Sequence, residues 1–156
     1  MLKKIASVRT HAAGASFAIV ASKYNGGYVD AMVKAAHREL RKAGAQVRIV
    51  RVPGAFEIPA VASALAAGTV GSLRPAAVIC FGVIFQGQTS HAEQIGTGVT
   101  HALAQIQVEQ RIPVIHGVFV FAKEEYAKVR CLGRTHNRGT EAAHTALEMA
   151  KVMRGL

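Results

Sequence analysis

A chain of 156 residues, 51% of them hydrophobic, is long enough to bury one substantial core and short for two domains. Its 19 Lys and Arg against 9 Asp and Glu leave a formal charge of +10, a balance that attracts phosphorylated small molecules, anionic surfaces or polyanions. Aromatic residues make up only 6% and do not interleave with the basic ones, which disfavours nucleic acid as a partner, and no uncharged apolar run reaches the ~18–20 residues of a membrane helix. Residues 1–15 are basic without a sustained apolar stretch. They read as a tail, or as a strand added to a neighbouring subunit, rather than as a secretion signal.

In residues 16–156 the first element is SFAIVAS at 16–22, a short apolar run of the kind buried on both faces of a sheet. The breakers of YNGG follow. From there Val29, Met32, Val33, Ala36 and Leu40 recur on one helical stripe, and Arg38, Arg41 and Lys42 with Gly44 beyond them mark a helix C-terminus. Residues 46–52 alternate and predict the second strand, Pro53-Gly54 a turn, and Glu57-Ile58-Pro59 the start of a helix running to Gly68. PAAVICF at 75–81 predicts a third strand. Cys80 lies within it, and neither Cys80 nor Cys131 has metal or redox spacing, so buried thiols in a reducing cytoplasm fit best. GVIFQGQTSH at 82–91 then leads into a helix at about 90–109. A fourth strand is predicted at 113–120, with closing helices at about 123–131 and 139–153.

Strands alternating with helices require right-handed crossovers, hence a parallel sheet covered on both faces. The predicted fold is therefore a single-domain, flavodoxin-like three-layer α/β/α with a four-stranded parallel sheet in the order 2-1-3-4. Ligands of such sheets bind beyond the carboxyl ends of the strands. With that order the loops SKYN, VPGAFE and GVIFQGQTSH leave adjacent ends.

Each loop has a plain reading and a chemical one. In the third, Gly87 permits a tight turn, and Gln88-Thr89-Ser90 precede a helix whose free N–H groups and dipole favour an anion. His91 follows in the first turn, where an imidazole can exchange protons near neutral pH, although an ordinary N-cap with a surface histidine fits the same residues. In VPGAFE, Phe56 fits a core plug and Glu57 a favourable acid in a first helical turn; equally, the amides of Ala55 and Phe56 with the Glu57 carboxylate can hold ligand hydroxyls. Tyr24 is either a core aromatic or a stacking surface for a flat heterocycle. The remaining histidines, including His116 in an apolar strand, show no metal-ligand spacing. Dinucleotide, Walker and serine-hydrolase signatures are absent.

VPGAFEIP, then G-V-I-x-x-G-x-T-x-H, then an Arg followed by N-R-G before E-A-A, resembles the lumazine synthase family over nearly the whole chain, from Phe17 to Met153. The resemblance implies a transferase of riboflavin biosynthesis. It would condense 5-amino-6-(D-ribitylamino)uracil with 3,4-dihydroxy-2-butanone 4-phosphate to give 6,7-dimethyl-8-ribityllumazine, phosphate and water, with no metal or organic cofactor. It assigns proton transfer to His91. Tyr24, Ala55, Phe56, Glu57, Val83, Ile84, Phe85 and His116 would hold the ribitylaminouracil, with Val83, Ile84 and Phe85 offering backbone groups to the pyrimidine edge. Gln88, Thr89 and Arg130 would hold the butanone phosphate, and Arg138 stands where the family commonly has a lysine near the site.

The resemblance also implies a homopentamer, in some members twelve pentamers in an icosahedral shell, with each site between subunits and His116 and Arg130 supplied by the adjacent chain. Riboflavin synthase is the implied partner enzyme. A non-catalytic lumazine- or flavin-binding homologue and a basic assembly protein are the alternatives. The chain departs from the family at Gln86 (commonly Arg), Ala92 (an aromatic), His116 (Phe) and the segment CLGRTH.

Overall fold

The computed structural model describes residues 10–68 and 73–156; most of the N-terminal tail, at residues 1–9, lies outside them. Four strands, β1 (Ser16–Ser22), β2 (Gln46–Val52), β3 (Ala77–Phe85) and β4 (Val114–Phe121), form one parallel sheet in the order β2-β1-β3-β4. The expected architecture and strand order are those observed.

Helices α1 (Gly26–Lys42) and α5 (Arg138–Arg154) cover one face of the sheet, α2 (Ile58–Ala66) and α3 (His91–Gln110) the other. Strand pleating divides the core accordingly. Phe17, Ile19 and Ala21 of β1 pack with Val29, Met32, Ala143 and Leu147, while Ala18 and Val20 pack with Ile58, Ala62, Val99 and Leu103. A strand buried on both sides needs apolar residues at every position, which is why β1 reads as an unbroken run.

The third strand differs in extent from its expectation. The sequence pattern ends β3 at residue 81, with a loop from Gly82, but the strand continues to Phe85. Gly82 is a space requirement here and not a turn: a Cβ would lie 3.3 Å from each of Ala55, Ile58 and Val118. β1 pairs with β3 only as far as Phe81, so Val83, Ile84 and Phe85 are paired on the β4 side alone and overhang β1 at the carboxyl edge.

After β4 a short helix α4 (Glu124–Ala127) passes directly into a π-helical turn, Lys128–Leu132. Asn137 fixes how this arm joins α5. Its side-chain amide donates to the Cys131 carbonyl (2.7 Å), and its oxygen accepts from the Gly139 N–H (2.8 Å) as the N-cap of α5. Asn137→Ala removes both bonds and should lower stability by about 1–2 kcal/mol. Chemical denaturation at fixed protein concentration checks this; an unchanged midpoint would contradict the cap's role.

Candidate active site

The carboxyl edge of the sheet carries an open cavity of about 700 Å³. Its walls come from the three loops and from the β3 overhang, and its construction can be followed bond by bond. Leaving β1, the backbone N–H groups of Lys23 and Tyr24 donate to carbonyls at the end of β2, Lys23 to Val52 (2.8 Å) and Tyr24 to Pro53 (3.2 Å). Arg51 ties the same corner to α1, donating to the Ser22 carbonyl (2.9 Å) and to Asp30 (2.6 Å). Asn25 then adopts a left-handed conformation, φ 55°, which asparagine tolerates better than most residues. Its side-chain amide donates to the Val83 carbonyl at 2.7 Å, fastening the loop to the β3 overhang.

In the second loop, the Gly54 N–H donates to the Glu57 carboxylate (2.8 Å), which folds the acid back over a 3-10 turn at Ala55–Glu57. Gly54 has an extended backbone (φ −133°), so conformational freedom is not what this position requires. A Cβ there would lie 2.9 Å from the Glu57 carboxylate and 3.0 Å from the Tyr24 ring. The missing side chain lets the acid and the aromatic converge. Tyr24 and Phe56 remain 70% and 67% exposed, which rules out the core-plug reading for both.

His91 is the first residue of α3, and with Gln94 and Ile95 it presents one helix face to the cavity, as positions three and four apart must. The cavity thus gathers Tyr24, Ala55, Phe56, Glu57, Val83, Ile84, Phe85 and His91. It also gathers Asn25 and Gln94, which sequence reasoning does not single out; an Asn before Gly-Gly and a polar residue one turn past His91 are the available signals.

Gln88 and Thr89 sit exposed in the loop before α3, next to the cavity but not on its wall. The Thr89 hydroxyl accepts from the His91 N–H at 3.4 Å. Gln86 bridges the loop internally: its backbone N–H continues the pairing with Phe121 (2.9 Å), and its side chain donates to the Thr89 carbonyl (3.3 Å).

The other predicted residues lie elsewhere on this chain. Arg130 and Arg138 share a separate hollow of about 390 Å³ with Phe119, Phe121 and Tyr126. Each guanidinium lies over a ring, Arg130 over Tyr126 (5.8 Å) and Arg138 over Phe119 (5.9 Å), and Arg138 also bonds Glu141. The Nε of Arg138 is buried and has no hydrogen-bond partner among the described residues. Burial pushes the neighbouring Cys131 thiol up to about 11, against the pull of both arginines.

His116 occupies a third place. Its Nε2 is 2.7 Å from the Thr100 hydroxyl, which itself donates to the Gly96 carbonyl (2.8 Å). One hydroxyl proton cannot serve both contacts: when Thr100 donates to Gly96, His116 donates from Nε2. Although the side chain as a whole is exposed, partial desolvation of the ring holds its pKa below the ordinary histidine value, which favours the neutral form. Among the described residues no His, Cys, Asp or Glu cluster is arranged to hold a metal, and no helix is long and apolar enough to cross a membrane.

Comparison with known proteins bears on this geometry. The family described as 6,7-dimethyl-8-ribityllumazine synthase matches residues 14–154. Proteins named 6,7-dimethyl-8-ribityllumazine synthase from Xylella fastidiosa (strain 9a5c) and Stenotrophomonas maltophilia (strain R551-3) are 38% and 35% identical over 147 and 145 residues. These alignments cover 92% and 91% of this chain and 93% and 91% of the relatives. A protein of the same name from Desulfotalea psychrophila is 36% identical over 146 residues, 92% of each chain. The chain belongs to the 6,7-dimethyl-8-ribityllumazine synthase family, enzymes of riboflavin biosynthesis.

Proposed function

We propose that this protein condenses 5-amino-6-(D-ribitylamino)uracil with 3,4-dihydroxy-2-butanone 4-phosphate, releasing 6,7-dimethyl-8-ribityllumazine, phosphate and water. The observation that carries the reading is the convergence of an exposed aromatic, a carboxylate and an imidazole, Tyr24, Glu57 and His91, on one cavity from three different loops. A flat pyrimidine stacks on Tyr24 with its edge along Val83, Ile84 and Phe85. Its ribityl hydroxyls meet Glu57 and the amides of Ala55 and Phe56. The butanone phosphate lies at the start of α3, where free N–H groups and the helix dipole favour an anion, with Gln88 and Thr89 beside it.

The 5-amino group attacks the ketone, and a first water leaves as the imine forms. Loss of a C–H proton expels phosphate and leaves an enol, which tautomerises to a ketone. The ribitylamino nitrogen attacks that ketone and closes the ring with loss of a second water. Protons move in most of these steps, and His91 at the cavity wall is the residue that moves them. Charge develops on the departing phosphate, where Arg130 stabilises it, with Arg138 close by. Holding both substrates in one cavity contributes through proximity.

Arg130 and His116 do not reach the cavity of their own chain, and Tyr24, Phe56, Val129 and Leu132 are exposed in the isolated chain. Both facts support a homo-oligomer, a pentamer and in its larger form twelve pentamers, in which each site is completed by a neighbour's His116 and Arg130. The free thiols Cys80 and Cys131 support a cytoplasmic location, where riboflavin synthase would take the product.

The test mixes purified protein with both precursors and follows lumazine formation and phosphate release. Turnover well above the spontaneous rate is expected; a rate equal to buffer at every enzyme concentration rejects the reading. In His91→Ala, kcat should fall about 10- to 100-fold. That lies at or below the low end for a positioned acid–base group, because water reaches the exposed position and replaces part of the function.

A further inference from the structure

The arm that carries Arg130 has few anchors. From Glu124 to Leu132 only Ala127 and Cys131 are buried, and Asn137 holds the far end through the Cys131 carbonyl. At the near end, among the described residues, a single side-chain hydrogen bond crosses to another element. The Tyr28 hydroxyl, in the first turn of α1, donates to the Glu124 carboxylate at 2.5 Å across 96 residues of sequence. The other Glu124 oxygen lies 3.6 Å from Lys128, within the arm itself. The Tyr28 ring in turn stands edge-on to Phe85, with centroids 5.7 Å apart and planes at 72°. Phe85 closes β3, lines the cavity and packs toward Phe121 at the end of β4.

One side chain therefore spans from the cavity wall to the base of the arm. Its ring is set by Phe85 and its hydroxyl by Glu124. The bond favours a neutral phenol beside an ionised acid: the Tyr28 pKa is pushed up to about 12, chiefly by Glu124, and that of Glu124 is lowered, chiefly by Tyr28. The donor and acceptor states are thus both present around neutral pH.

We propose that Tyr28 is a positioning residue whose hydroxyl, by holding Glu124, sets the arm that presents Arg130 to the phosphate of the butanone substrate. The inference rests on the assignment of Arg130 above and deepens it. Losing the hydroxyl frees the near end of α4, and a guanidinium several bonds away from that hinge loses its aim.

Tyr28→Phe removes the hydroxyl and keeps the ring against Phe85. In steady-state kinetics the KM for butanone phosphate should rise roughly three- to tenfold, the range of one ordinary hydrogen bond, because this bond is exposed and acts on the phosphate only through the arm. The KM for ribitylaminouracil should stay within about twofold of wild type, while kcat should fall by no more than the KM for butanone phosphate rises, because Arg130 acts on the departing phosphate as well as on the bound one. Amide hydrogen exchange across residues 123–132 should quicken. Glu124→Ala should reproduce these effects, whereas Glu124→Gln, whose amide oxygen still accepts from Tyr28, should recover most of the wild-type KM. Equal rises in both KM values, an unshifted KM, or unchanged exchange in the arm each overturn the positioning role while leaving an active enzyme. A wild type that forms no lumazine overturns the functional reading itself, and this inference with it.

Discussion

Gly139→Ala is expected to lower stability by about 3 kcal/mol or more, the upper range for inserting one methyl into a packed interior. Gly139 is the second residue of α5, where that helix crosses α1. A Cβ at this position would overlap the Met32 carbonyl oxygen and lie 2.7 Å from the Met32 carbonyl carbon and Cα. These are backbone atoms in the middle of a helix, and Met32 is fully buried, so no flexible side chain can give way. The two helices would have to separate, opening the core that Ala36, Ala143, Ala146 and Leu147 fill on this face of the sheet.

Glycine-to-alanine changes inside helices usually stabilise by about 0.5–1 kcal/mol, so the sign itself is diagnostic. Gly27→Ala is the control: nothing lies within 4 Å of its added Cβ, and it should be neutral or slightly stabilising. Denaturant titrations at matched concentration compare the two. A Gly139→Ala midpoint at or above wild type would show that the helices do not cross this closely.

Arg130→Ala should reduce kcat/KM for butanone phosphate by about 10²–10³-fold, the range for removing one charged donor from a developing anion. Fold stability should change little, because within its own chain this guanidinium stacks over Tyr126, an interaction worth at most ~1 kcal/mol at an exposed site. Arg130→Lys should recover only part of the activity, because an ammonium keeps the charge and forfeits the two-pronged geometry that matches phosphate. Kinetics with butanone phosphate as the varied substrate decide the matter. An unaltered kcat/KM, with His91→Ala impaired, would put the whole anion-binding role on the loop before α3 and remove it from the arm.

Much of the fold is legible because burial on two faces leaves a plain mark. Ser16–Ser22 shows it as an unbroken apolar run, and the edge strand Gln46–Val52, mostly not buried, is legible instead from alternation; both begin and end where the residue pattern places them. The end of β3 is misread because a glycine inside a strand and a glycine opening a turn look alike in sequence. Only the crowding of Ala55, Ile58 and Val118 around Gly82 separates them. The residue pattern predicts a single helix at 123–131, yet its second half is a π turn, which no local propensity announces.

The cavity is legible in part, since a doubly wound order collects three loops at one edge whatever their side chains. Pairings that depend on long separations are not. Tyr28 with Glu124, and Arg130 with Arg138 in one hollow, arise from how α1, β4 and α5 pack, and the residues on either side carry no local trace of it. Gln86, where the resemblance leads to an expectation of arginine, gains a role in the folded chain by bonding the Thr89 carbonyl and closing its own loop.

The overhang of β3 has one further consequence. Beyond Phe81 the strand has a partner on one side only, and an unpaired strand edge is a template on which any extended chain can add itself, a hazard that sheets normally cover or interrupt. Here Asn25 already satisfies the Val83 carbonyl, and only a few groups remain beyond it. What is left is too short to recruit another polypeptide strand. Under the proposed function these groups would pair with a flat ring that alternates donors and acceptors along one side, a heterocycle read with the grammar that joins the protein's own strands.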